Sequence, residues 1–439
     1  ITEEEALRMT ERELTPGEGL DFVIRGVRDR YLGVDESWKE LYTWYHKNEG
    51  QKVARILDAG FYQKKADTLD EEQARELYGE NPKFSVTRME RFSACAYAHF
   101  LTYGLHLSDR ERYEFEAMDL GNIAHQSMER FARKAQEKRM SWPKIEEAAR
   151  DAMIEESVEE SIKDYGNTVL YSTARNEYLI VRIKQLIRRS VWALTRQMEK
   201  GDFEPSGYEL NFGSGKIDRI DTCEDEDVVY VKVTDYKTGM KSFDIVALYH
   251  GLQMQLPVYL NAALELEKRR AEGKAVEPAG IFYYRIQDPI VDRETDEKTL
   301  EDKILKELRL DGMINAKEEV IEHLEHQLTG NSVLNPIGKN KDGSLSRYSK
   351  VLPPQAFAAM LSYTRKKESQ VKEKICMGEV QANPYELKGS TGCDYCAYRD
   401  ICGFDPRLDG YEYRSLEAYS KEEVIRRMET EIENEEEQS

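Results

Sequence analysis

No stretch of this chain approaches the roughly 18 consecutive apolar residues that cross a bilayer as a helix, so a membrane protein is not expected. A G-x-x-x-x-G-K-[ST] loop is also missing, which leaves the chain without a P-loop and assigns any ATP hydrolysis to a partner or to a region outside it. The opening segment, ITEEEALRMTEREL, has neither a basic n-region nor an apolar core. No signal peptide is therefore read, and the cytoplasm is the expected compartment. Because the first residue is Ile1 rather than Met, that opening is taken as the interior of a longer polypeptide. Cysteine is scarce, with 6 in 439 residues, and a reducing compartment argues against a disulfide framework. An excess of positive charge is absent too: Lys and Arg number 64 against 84 Asp and Glu, for a net charge of -20. No global field would draw this chain onto a phosphate backbone, but a site that gathers carboxylates around cations is compatible with that balance.

What is present reads as two or three structural units by length. Residues 1–82 form a charged helical lead-in, with Leu41, Trp44 and Tyr45 spaced for one buried face. Ser85 is placed to cap a helix that carries aromatic positions through Phe100 and Leu101. Helical spacing runs from Leu120 to about Lys200, with breaks near Ser141-Trp142-Pro143 and Tyr165-Gly166-Asn167. The segment from Gly207 to Gly239 is rich in β-branched and aromatic residues around the acidic turn CEDED and reads as a hairpin. A helix over ALYHGLQMQLPVYLNAALELEKRR and a buried strand at AGIFYYRI follow, giving an α/β core with a mixed sheet flanked by helices. Residues 330–350 are poor in apolar side chains and read as a mobile surface loop suited to DNA contact. After a helix over about 354–377 come a cysteine loop at 391–410 and an acidic tail, 411–439, read as solvated or disordered.

The chemistry concentrates in GKIDRID (residues 215–221) and VTDYKTG (residues 233–239). On paired strands Asp235 and Lys237 point to one side and Tyr236 to the other, and Asp218 meets them across the ladder. Two carboxylates and one lysine on a shared face suit metal-assisted phosphodiester hydrolysis. The acids hold hard cations, and the amine steadies developing negative charge or orients the nucleophile. Upstream, GNIAH places His125 near the start of a helix, and downstream LQMQLPVYL supplies Gln255 and Tyr259. Asp221, three residues past Asp218, faces the opposite side of a regular strand and is given a structural role. Gln253 is a stand-in for Gln255 that could not share its helical face.

This order of motifs, G-x-x-x-H, I-D-R-I-D, D-Y-K-T and Q-x-x-x-Y, resembles the RecB-like branch of the PD-(D/E)XK nucleases. The resemblance implies a restriction-endonuclease-like fold, with the domain over residues 83–390. It implies Mg²⁺ or Mn²⁺ on His125, Asp218, Asp235 and the Tyr236 carbonyl, a catalytic Lys237, and Gln255 and Tyr259 in support. Thr234 stands where such families usually carry an apolar residue.

Cys393, Cys396 and Cys402 are spaced C-x2-C-x5-C, with Cys95 far upstream as the candidate fourth thiolate. Such thiolates bind zinc or an iron-sulfur cluster, and spacing alone leaves both open. One cysteine before and three after a RecB-like nuclease, together with S-x-x-R-x-E-x-F-x-x-C-x-Y-x-x-F-L-x-Y-G-L at residues 85–105, resembles the AddB subunits of bacterial AddAB-type helicase-nucleases. That resemblance covers roughly residues 83–410. It implies a structural [4Fe-4S] cluster on the four cysteines, an AddA-like helicase-nuclease subunit as heterodimer partner, and cutting of one strand of an unwound duplex end during resection. The alternatives are a free-standing iron-sulfur exonuclease of the RecB-like branch and a catalytically idle DNA-binding scaffold.

Overall fold

In a computed structural model, the residues described are 15–28, 37–60, 68–108, 117–165, 174–292, 294, 296–408 and 410–436. The opening segment 1–14 and the Gly166-Asn167 break lie outside them. The chain divides into two compact units, one of residues 1–67 with 402–413 and one of residues 68–401 with 414–439.

In the smaller unit, α1 (Pro16–Arg28), α2 (Trp38–Asn48) and α3 (Gly50–Gly60) bury Val23, Tyr45 and Val53 against Leu20, Leu41, Tyr42 and Leu57. The expected face is corrected at one position. Trp44 is exposed, because Leu41, Tyr42 and Tyr45 at i, i+1 and i+4 already fill the stripe turned to the core.

The larger unit is built on one mixed sheet. Ahead of it run α4 (Val86–Ala94), α5 (Ala117–Glu137), α6 (Glu147–Asp164) and α7 (Ala174–Met198). Strands β1 (Glu204–Asn211), β2 (Lys216–Glu224) and β3 (Val228–Lys237) form an antiparallel meander. Thus the expected single hairpin over 207–239 is three strands, since the Gly213 and Gly215 segment also turns the chain. Helix α8 (Gln255–Arg270) then carries the chain across to β4 (Ala275–Arg285), which pairs parallel to β3, as a parallel pair requires a long crossover. Next come β5 (Asp311–Asn315), α9 (Glu318–Leu324), the short β6 (Gly330–Asn331) and β7 (Gly338–Lys339), and β8 (Val351–Leu352). The sheet order is β1-β2-β3-β4-β5-β8.

Strand alternation divides the apolar side chains between two cores. Val229, Val231, Val233, Ile281 and Tyr283 face one side, toward Met89 of α4 and Leu260 of α8. Tyr230, Tyr236, Phe282 and Tyr284 face the other, toward Met128 of α5, Val158 of α6 and Ile187 of α7. With both faces covered, the central strands read as near-continuous apolar runs.

Two expectations for the later chain are corrected. Residues 330–350 are not a bare surface loop, for Leu334, Asn335 and Ile337 are buried. Ser332 Oγ accepts the Leu334 and Asn335 amides at 3.0 and 2.9 Å, and Gln197 donates to Asn335 Oδ1 at 3.1 Å, so side chains satisfy a backbone that composition alone marks as loop. The acidic tail is also largely ordered. After α10 (Pro354–Cys376) and the small sheet of β9 (Tyr385–Leu387), β10 (Ser390–Thr391) and β11 (Arg414–Ser415), α11 (Lys421–Glu436) packs on α10 and buries Val424 and Met428. Among the described residues, no helix is long and apolar enough to cross a membrane.

Candidate active site

Antiparallel registry lines up the acids. Arg219 pairs with Thr234 between β2 and β3, so one further step along the same ladder sets Asp218 opposite Asp235. Between β1 and β2, Tyr208 pairs with Arg219 and Leu210 with Ile217, which sets Glu209 opposite Asp218. Three carboxylates therefore stand in a row on three neighbouring strands, about 4.7–4.9 Å apart from strand to strand. All three residues are buried.

Helix α5 brings the imidazole. A Cβ on Gly121 would lie 2.8 Å from Thr238 Oγ1, so only glycine lets the helix approach the end of β3 this closely. One turn later His125 Nε2 lies 2.6 Å from the Tyr236 carbonyl oxygen and 3.5 Å from Asp218 Oδ2. The atoms of His125, Glu209 and Asp218 that could bind a metal all fall within 4.8 Å of one another. The Tyr236 amide donates to Asp218 Oδ2 at 2.8 Å, fixing that carboxylate against the backbone whose next carbonyl faces the histidine.

On the other side, the Lys237 ammonium is in ion-pair contact with Asp235 and sits 5.7 Å from the Tyr283 ring centroid. Gln255 Nε2 donates to Asp235 Oδ1 at 2.7 Å and to Tyr259 Oη at 3.0 Å. Every residue expected in the nuclease site thus converges: His125, Asp218, Asp235, Tyr236 by its carbonyl, Lys237, Gln255 and Tyr259. Tyr236 turns its ring to the opposite core, as alternation demands.

Burial, then the neighbouring Asp235 and Glu209 charges, holds the Asp218 carboxyl well above the usual range. Burial raises Glu209 as well, with Lys216 opposing it, and lowers His125, which the Tyr236 carbonyl and Asp235 pull back up. Asp235 Oδ2 makes no hydrogen bond, although the lysine is in contact. Several acids held this close repel one another and resist ionising together unless a cation joins them.

Two supporting residues are not legible in the motifs. Glu209 becomes visible only through the β1–β2 register, its signal being a lone acid between Tyr208 and Leu210 on a strand next to GKIDRID. Glu90 accepts the Met254 and Gln255 amides at 2.7 and 3.0 Å, and so caps the first turn of α8 from inside the pocket. Gln253 differs from expectation: it precedes α8, and its Oε1 accepts the Asp244 amide at 3.0 Å. Asp221 keeps its structural role. It lies on the far face, 2.6 Å from Arg219 Nε and 3.5 Å from Lys232 Nζ.

At the cysteines, Cys95 is buried in extended backbone between α4 and the next helical turn. The Ala94 carbonyl lies 2.9 Å from where a Cβ on Gly392 would be, so the residues just ahead of Cys95 and Cys393 are pressed together. The Ala96 and Tyr97 amides donate to Asn383 Oδ1 and the Gln381 carbonyl, both at 2.9 Å. Tyr398 Oη is 3.0 Å from Thr102 Oγ1 and donates to the Leu107 carbonyl at 2.8 Å. Cys402 belongs to the smaller unit. Among the described residues, neither group of three or more His, Cys, Asp and Glu with ligand atoms within 4.8 Å includes any of these four cysteines.

Residues 83–403 match the family described as the PD-(D/E)XK nuclease superfamily. The chain is 37% identical to an ATP-dependent helicase/deoxyribonuclease subunit from Lachnoclostridium phytofermentans, over 93% of this chain and 37% of that protein. It is 33% identical to the proteins of the same name from Alkaliphilus oremlandii, over 91% of this chain and 37% of the relative, and Caldanaerobacter subterraneus, over 88% and 35%. The chain thus spans little more than a third of the length of these curated relatives.

Proposed function

Since the chain belongs to the PD-(D/E)XK nuclease superfamily, we propose that it is a metal-dependent deoxyribonuclease that hydrolyses phosphodiester bonds in one strand of an unwound duplex end. The observation that carries this reading is the row of Glu209, Asp218 and Asp235 across three strands, with Lys237 and His125 at its more exposed edge.

Carboxylate and carbonyl oxygens with one imidazole nitrogen suit Mg²⁺ or Mn²⁺, and the raised Asp218 and the Asp235 oxygen without a hydrogen bond fit a pocket that awaits positive charge. His125, Asp218, Asp235 and the Tyr236 carbonyl would hold the ion, with Glu209 a further carboxylate in reach. Such an ion supplies Lewis acidity toward the phosphodiester and the attacking water. The protein's own part is positional. Lys237 directs an ammonium at the charge that develops on the phosphoryl oxygens or at the nucleophile. Gln255 fixes the orientation of Asp235, and Tyr259 and Glu90 in turn fix Gln255.

The same reading assigns residues 83–390 to the catalytic domain and 391–410 to a cysteine loop that completes it with Cys95. Cys95, Cys393, Cys396 and Cys402 would hold a [4Fe-4S] cluster as a staple, a role supported by the packing of Gly392 on Ala94. The names of the relatives support an AddB-like subunit that works with an AddA-like helicase-nuclease partner in resection of double-strand breaks in the cytoplasm.

The test is incubation of end-labelled single-stranded and duplex DNA with the chain and Mg²⁺, with and without EDTA. Cleavage of the single strand that EDTA abolishes is expected. Cleavage undiminished by EDTA, or none of either substrate with Mg²⁺ or Mn²⁺, would overturn the assignment.

A further inference from the structure

A second constellation of metal-binding side chains lies away from the nuclease pocket. Cys223 is five residues beyond Asp218 on β2, hence about 17 Å along the strand and on the opposite face. Its neighbours come from two other segments. Asp202 sits in the turn between α7 and β1, and His323 lies on α9. Ligand atoms of Asp202, Cys223 and His323 all fall within 4.8 Å of one another. His323 Nδ1 is 2.8 Å from Asp202 Oδ2, and His326 Nε2 is 2.9 Å from Asp202 Oδ1.

The scaffold is fixed by backbone bonds rather than by these side chains. The Asp202 amide donates to the His323 carbonyl at 2.8 Å, and the His326 amide to the Lys200 carbonyl at 2.7 Å. At the base of the group, Cys223 is only 4% exposed and its sulfur makes no hydrogen bond to the described residues. Asp202, Glu224 and Asp225 all act on that thiol electrostatically, against Lys232 alone, so a net negative field converges on a buried soft donor.

We propose that Asp202, Cys223 and His323 bind one zinc ion, with His326 as a fourth ligand, and that this ion clips the α7–β1 turn and α9 to the far end of β2. Thiolate and imidazole donors select zinc over the hard cations of the nuclease pocket. Donors around tetrahedral zinc stand about 3.3–3.8 Å apart, so atoms already within 4.8 Å need shifts on the order of 1 Å. Binding requires the Cys223 thiol to release its proton to solvent as the Zn–S bond forms.

Zinc per chain is measured by elemental analysis on the intact wild type and on Cys223→Ser, His323→Ala and Cys393→Ser, each dialysed against limiting zinc. The expected result is one equivalent fewer in Cys223→Ser and in His323→Ala than in wild type, while Cys393→Ser retains that equivalent. Cobalt added to metal-free protein provides a second readout, a thiolate-to-cobalt charge-transfer band weaker in Cys223→Ser and in Asp202→Asn, whose fold is checked by circular dichroism. Equal zinc content in wild type, Cys223→Ser and His323→Ala, or a cobalt band indifferent to Cys223 and Asp202, would overturn the site. DNA cleavage does not enter either readout, so failure here is separate from failure of the nuclease reading.

Discussion

Asp218 sits where two ladders cross, opposite Glu209 on one side and Asp235 on the other. Its raised affinity for protons has a definite sign in stability. A carboxyl that holds its proton to higher pH in the folded state makes the fold lose stability as pH rises through that range, unless a cation binds. Asp218→Asn keeps an acceptor for the Tyr236 amide and removes the charge. In EDTA at neutral pH the variant is therefore expected to melt higher than wild type, while its Mg²⁺-supported cleavage falls by at least about 10²-fold. A lower melting temperature with intact cleavage would contradict that role. His99 illustrates the opposite sign. It accepts the Arg88 Nε–H at 3.0 Å, and burial, with Arg88 and Arg91 nearby, pulls its imidazole down to about 3. Between that value and the ordinary 6.5, the unfolded chain binds the extra proton, so this residue's contribution is lost on acidification by as much as about 1.4 kcal/mol per pH unit. His99→Gln keeps an acceptor without titrating, and urea midpoints at pH 5 and pH 7 should differ less in it than in wild type. Residues of this kind divide by legibility. His125, Asp218, Asp235 and Lys237 are readable because each sits in a local motif, whereas Glu209 depends on a register that no local pattern states.

At the scale of elements, the strands are readable wherever both faces are buried, as in VVYVKV and AGIFYYRI. Departures from expectation arise where polar composition masks packing. The tail reads as a charge run, yet Val424, Met428 and Ile432 recur every four residues and form the stripe by which α11 packs on the larger unit. Met428→Ala is expected to lower unfolding free energy by about 2–5 kcal/mol, read from denaturant midpoints. No change would return the segment to a solvated end. Helical spacing over 245–270 predicts one helix without its break at 250–254, because no residue there marks the stop. The break exists so that Glu90 can accept the first free amides of α8 and Gln255 can point at Asp235.

Across the whole molecule, the order of the motifs along the chain carries further than any single residue. A sheet that keeps β2, β3 and α8 adjacent brings IDRID, DYKT and QxxxY to one pocket, and α5 closes it from the opposite core. The excess of acid that argues against coating of DNA is concentrated, where it is buried, in that pocket. The units of residues 1–67 with 402–413 and 68–401 with 414–439 are not legible, since helical periodicity in the lead-in looks the same whichever unit it joins. Titration of the chain with Mn²⁺, followed by the loss of free-ion paramagnetic resonance, tests the metal pocket most directly when wild type and Asp218→Asn are compared under the same conditions. Expected is a bound Mn²⁺ in wild type that Asp218→Asn fails to hold; identical Mn²⁺ stoichiometry and affinity in the two proteins would contradict it.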